Sequence, residues 1–238
     1  MRALCIRNIV VVTLHELRSL MVNPSMLATL FMLLAFGGLF SFLGFFRWFA
    51  TPFLCQLAIC SVGFIGTICT AAEEREQGVF ITLSYAGLSP LQLAIGKTVA
   101  CIVLAEAVSF ICAYLIEVNV LAAAMVAACM ATNTVPVALF SVAVGLHLND
   151  QQRASSWGAV PLILGILAPA GKMLWGISFW FLPLGAASEL VDVFQHNGTA
   201  AIDPAITVLV ALLYATICGI GLCLSIKRFE RTDPARLH

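Results

Sequence analysis

The chain has 238 residues, of which 61% are hydrophobic and only 10% carry a charge, and its mean hydropathy is +1.03. A water-soluble fold of this size needs far more polar surface, which excludes the soluble domain classes. Twelve basic residues balance twelve acidic ones, so nothing in the charge points to nucleic acid.

The apolar residues run in long unbroken stretches rather than the short alternating segments of a membrane barrel. The expected fold is therefore all-α and polytopic, with helices of about 20 residues crossing the bilayer. Residues 1–24 contain RNIVVVTLHELRSLMVNP. Ile9, Val12, Leu14, Leu17, Leu20 and Met21 recur at helical spacing, against Arg7, His15, Glu16, Arg18 and Ser19. This predicts a cytoplasmic amphipathic helix in the interface plane, its basic side chains toward headgroups. Pro24 then opens the first span, since proline suits the first helical position.

Six spans are predicted, at 25–46, 51–72, 98–115, 121–146, 157–175 and 205–226. Together, residues 25–226 make one six-helix transmembrane domain, followed by a cytoplasmic tail at 227–238. The stretch 176–204, broken by Pro183 and Gly185, suits a re-entrant or outer segment before the last span. An inside N-terminus places ten of the twelve basic residues in the cytoplasm and leaves only Arg47 and Lys172 outside. Both termini are thus expected to be cytoplasmic.

The nine cysteines are scattered, with no CxxC pair and no Cys/His cluster, so no disulfide framework or zinc site is indicated. The four histidines, His15, His147, His196 and His238, are likewise isolated. That argues against the alternative of a membrane-embedded lipid-modifying enzyme, which needs clustered catalytic groups.

Residues 73–98 read EEREQGVFITLSYAGLSPLQLAIGKT. The closing Gly96-Lys97-Thr98 invites a phosphate-loop reading, but the required first glycine falls on Leu91. The preceding residues start a helix, with Ser89 as N-cap and Pro90 at its first position. Lys97 is expected to extend to the headgroups at the inner end of the third span.

Within the spans, Glu106 is the one carboxylate near mid-membrane, either lining a pathway or protonated and bonded to a neighbouring helix. Thr132, Asn133 and Thr134 give the fourth span a polar centre, able to line a pathway or to bond across helices.

Glu73, Glu74, Arg75, Glu76 and Gly78, then Leu83, Gly87, Leu88, Ser89 and Pro90, then Gly96 and Lys97, follow a known order. The segment resembles the intracellular loop of type-2 ABC transporter permeases: an E-x-E-R-x-x-G-T run, an L-L-x-x-x-P-x-S-P run, and a helix opening into G-K. Val79 stands where that family has threonine, and Gly87 where proline or valine is common. HELRSLMVNPSML resembles the family's connecting helix, LHLNDQQRASSWGAV its second cytoplasmic loop, and FLPLGAASELVDVF its outer segment.

The resemblance implies the membrane subunit of an ATP-driven exporter, integral to a bacterial cytoplasmic membrane. It implies half of a translocation pathway for a hydrophobic or amphipathic cargo, completed by a second permease copy or a homologous permease chain. The chain would itself bind no cofactor; ATP and Mg would belong to a partner ABC ATPase. The coupling loop is expected at 73–97, with Glu73, Glu74, Arg75, Glu76, Gly78, Ser89 and Pro90 engaging the ATPase. Asn149, Asp150 and Arg153 would add a second contact, and Arg7, Glu16 and Arg18 would set the interfacial helix against lipid and ATPase. A haem-export type permease of cytochrome maturation is the alternative within the same architecture.

Overall fold

The computed structural model describes residues 2–44, 47–85, 87–148, 150–175, 181, 184–195 and 203–232. Among these every regular element is a helix. Among the described residues five helices are long and apolar enough to cross a membrane: Pro24–Leu43, Phe49–Glu76, Pro90–Glu117, Val120–His147 and Pro204–Glu230. The molecule thus has the all-α, multi-helix build of a polytopic membrane protein.

Helix α1 (Arg2–Val22) leads into α2 (Pro24–Leu43), whose start is fixed by Asn23. The Asn23 side chain accepts the Ser25 and Met26 amides at 3.0 and 3.4 Å, with Pro24 at the first helical position. The second span is one rod in three parts: α3 (Arg47–Cys60), a π-helical stretch at Ser61–Thr67, and α4 (Ile68–Glu76). It is the hub of the bundle, with 78% of its apolar window buried, against 17% for Pro24–Leu43 and for Pro204–Glu230.

A short helix α5 (Val79–Tyr85) follows, and then α6 (Pro90–Glu117) and α7 (Val120–His147) form a long hairpin. Each has 28 residues, or about 42 Å, so both outreach the roughly 30 Å hydrocarbon core. The hairpin turns through Val118 in a left-handed conformation (φ 54°), after which Asn119 caps α7. Helix α8 (Gln151–Trp175) carries the predicted span at 157–175.

In the predicted outer segment at 176–204, the described part is a helix α9 (Gly185–Gln195), buried against α7, α10 and α3. Helix α10 (Pro204–Thr232) runs past the predicted span end, taking in the first residues assigned to the tail.

Small residues set the close crossings. A Cβ on Gly63 would overlap Val137 of α7, and one on Gly145 would come within 2.6 Å of Ala71. Cys55 and Ser109 exchange hydrogen bonds with each other's backbone carbonyls at 3.4 Å, locking α3 against α6.

The contacts order the bundle into two ends. Glu73 to Glu76, Lys97, His147, Asp150, Arg153 and Arg228 gather at one end, with α1 beside them through its packing on α6. Glu117, which accepts from Thr51 Oγ1 at 2.6 Å, marks the other. Lys97 and Glu117 are 20 residues apart on α6, about 30 Å at the helical rise and so the thickness of the hydrocarbon core.

Candidate functional site

The charged end is built around Lys97. Among the described residues its side chain is the largest of the fully buried ones, at 1% exposure. The ammonium is ion-paired with Glu16 of α1 and, at 2.8 Å, with Glu74 of α4. The expected extension toward headgroups is therefore corrected. A buried ammonium needs counter-charges at hand, and two carboxylates from different helices meet it before it can reach the interface. Glu16 is corrected with it: the residue expected on the polar outer face of α1 is 3% exposed and turned into the bundle.

The close approach of α1 makes this possible. Gly96 lets α1 settle on α6, since a Cβ there would lie 2.5 Å from Val12 Cγ1. Thr13 Oγ1 donates to the Gly96 carbonyl at 3.3 Å. Arg7, His15 and Arg18 remain exposed, as do Ile6, Val10, Val11 and Leu14, so α1 presents a mixed apolar and basic face outward.

From Lys97 a ladder of cations and rings crosses the same end. Lys97 Nζ lies 5.8 Å from the Phe80 ring centre. Phe80 meets Phe229 edge-on at 5.5 Å, and the Arg75 guanidinium lies 5.5 Å from the other ring. Arg75 also donates to the Leu146 carbonyl at the end of α7. Four helices (α6, α5, α10 and α4) are thus threaded by a pair of rings with a cation at either end, an arrangement strengthened by removal from water.

The acidic–basic run therefore divides in two. Glu74 and Arg75 face inward, whereas Glu76 is exposed and Glu73 is half-buried, bonded by Gln77 at 3.1 Å. Gly78 ends α4 in a left-handed conformation (φ 71°) and Gly87 repeats the device after α5 (φ 85°). No bulky residue takes these angles readily, so α5 is set off as a separate short arm.

Ser89 then caps α6 in a full capping box, its hydroxyl accepting the Gln92 amide at 3.2 Å while Gln92 accepts the Ser89 amide at 3.1 Å. Pro90 opens the helix. At the start of α8, Asp150 accepts the Gln152 amide at 2.8 Å and faces Arg153 at 3.8 Å; Asn149 lies outside the described residues.

A second polar group lies within the bundle. Asn133 donates to Gln56 Oε1 at 2.7 Å and to the Leu184 carbonyl at 2.6 Å. Gln56 is 1% exposed and Asn133 2%. Leu184 is left-handed (φ 72°), which turns its carbonyl toward Asn133 just ahead of α9. Thr132 and Thr134 hydrogen-bond to carbonyls of their own helix, Cys129 and Met130. The Glu106 carboxyl on α6 is close to Thr134 of α7, and its Oε1 is buried with no hydrogen-bond partner among the described residues.

The sequence reading did not single out Gln56, Glu189 or Asp192, the last two buried on α9 at 4% and 8% exposure. Gln56 carried a visible signal, a polar residue inside an apolar span. No family model and no curated protein sequence matches the chain.

Proposed function

We propose that the chain is the permease subunit of an ATP-driven ABC exporter, moving a hydrophobic or amphipathic cargo. In this reading it has six spans, α8 among them, and both termini in the cytoplasm of a bacterial cell. It pairs with a second permease copy or a homologous chain and is driven by a separate ATPase that holds ATP and Mg.

The observation that carries the reading is α5. This short helix stands between two left-handed glycines at the charged end and is fastened to the bundle through Phe80. A displacement of α5 is felt at once by Lys97 on α6, by Phe229 on α10 and, across the Lys97 ion pairs, by α1 and α4. Such an arm, seated in a groove of the ATPase, passes ATP-driven closure into a packed bundle that has two arrangements. Glu73 and Glu76 register the arm on the ATPase; Glu74 and Arg75 hold it to the membrane helices.

Affinity purification of the full chain from its native membrane should bring down an ABC ATPase. In inside-out vesicles, Glu73→Arg/Glu76→Arg should leave ATP hydrolysis running while ATP-driven uptake of an amphipathic dye falls to background. An absent ATPase, or uptake unchanged by the double reversal, defeats the reading.

A further inference from the structure

Helix α10 packs along α7 and α9, and among the described residues no extensive packing joins it to α8. Where α8 and α10 part, a crevice of about 410 Å³ opens over α7, within the roughly 300–1,000 Å³ range of small-molecule pockets. Phe140, Val144 and His147 form its floor, Trp157 one wall, and Cys218 and Gly221 the other. The lining is almost wholly apolar. Such a lining offers water few of the two or more polar partners it needs. Left empty, it forfeits the contacts that close packing supplies.

The crevice is polar only toward the charged end of the bundle. There His147 Nε2 lies 3.2 Å from Arg228 Nη1. Arg228 and the His147 imidazole thus stand together at this mouth, and Lys227 is exposed beside Arg228 in sequence. Asp150, an acid on the α8 side, faces Arg153 at 3.8 Å. Trp157 is 55% exposed, in the manner of rings that sit at headgroup level.

We propose that this crevice binds one acyl chain of an anionic glycerophospholipid, with the lipid phosphate held at Arg228 and His147. Chain and headgroup requirements coincide at one place: an apolar slot at hydrocarbon depth, ending in cations where the headgroup layer begins. Guanidinium groups match phosphate oxygens in pairs, and basic pockets between membrane helices favour anionic headgroups. The site depends on the membrane location of the chain and stands apart from the transport reading, since neither an ATPase nor a cargo enters it.

Gly221 provides the decisive variant. A Cβ added there meets nothing within 4 Å, so Gly221→Leu starts a bulky side chain from an uncrowded point on the crevice lining. Gly38 on α2 is equally open, so Gly38→Leu adds the same side chain away from the slot. The full chain is placed in phosphatidylcholine nanodiscs with trace phosphatidylglycerol or phosphatidylcholine bearing a photoactivatable acyl chain, and adducts are mapped on peptides covering 140–148 and 217–225. The phosphatidylglycerol probe should label these peptides about fivefold more than the phosphatidylcholine probe, the factor that one cation near the surface supplies. Gly221→Leu should abolish the labelling and Gly38→Leu leave it intact. Arg228→Gln should reduce phosphatidylglycerol labelling to the phosphatidylcholine level. Equal labelling by the two probes in the unaltered protein, or labelling that survives Gly221→Leu, overturns the site.

Discussion

Lys97 and Glu16 stand 81 residues apart in the chain and meet as a buried ion pair, with Glu74 as a second carboxylate on the same ammonium. Removing the cation strands the buried Glu16 and takes the counter-charge from the half-buried Glu74. Lys97→Met should cost about 3–5 kcal/mol, the usual penalty for breaking a buried pair from one side. Lys97→Met/Glu16→Met should cost less than Lys97→Met alone, because it removes the stranded Glu16 charge. Thermal unfolding in detergent, followed by size-exclusion of the surviving fraction, ranks the two; equal melting of Lys97→Met and the unaltered chain would contradict the pairing.

Phe80 is 3% exposed and sits between Lys97 and Phe229. Phe80→Ala should cost about 3–5 kcal/mol if the whole bundle bears the loss. The looser expectation for a short arm is local: amides of Val79–Tyr85 should lose hydrogen-exchange protection while those of α6 keep theirs. Unchanged protection across α5 would show that the ladder does not hold it.

Gly63 on the π-helical stretch has no room for a Cβ, because Val137 occupies the space. Gly63→Ala should destabilise by about 1–3 kcal/mol, as overpacking does. Gly63→Ala/Val137→Ala should recover part of that, since the second change returns the missing volume. A double variant melting below both singles would contradict the contact.

Asn133 satisfies both the Gln56 carbonyl oxygen and the Leu184 carbonyl. Asn133→Ala leaves two buried acceptors without a donor and should cost about 1–3 kcal/mol. Gln56→Leu/Asn133→Leu should be milder than Asn133→Ala, because a replaced pair leaves fewer orphans. A double-mutant cycle on melting temperature measures the coupling, and a coupling of zero would remove the bond from the account.

Much of the architecture was readable because it rests on local patterns. Asn23-Pro24 and Ser89-Pro90 announce helix starts through side chains that cap their own backbone. The apolar runs announce the spans. The extent of the spans was harder, since α6 and α10 continue past the greasy core into residues assigned to a loop and a tail.

The outward set of Arg7 and Arg18 was legible, but the inward turn of Glu16, Lys97, Glu74 and Arg75 was not. Glu16 and Lys97 each look like surface residues in their own helices, and only the approach of α1 over Gly96 turns them toward one another. Glu74 and Arg75 are separated from Glu73 and Glu76 by helix rotation rather than by composition. The pairing of His147 with Arg228 likewise depends on two helix ends, also 81 residues apart, arriving together.

The wider winding at Ser61–Thr67, where the Ile68 amide reaches back to the Gly63 carbonyl, has a consequence for how the span is counted. Each residue beyond 3.6 per turn rotates everything after it by about 100°. Cys55, which locks onto α6, and Ala71, which faces Gly145 of α7, therefore answer to two different phases along a single rod. A helical wheel drawn straight through residues 51–76 misassigns one half of it, and shortening the chain by a residue inside the wide turns disturbs those two faces less than the same deletion on either side.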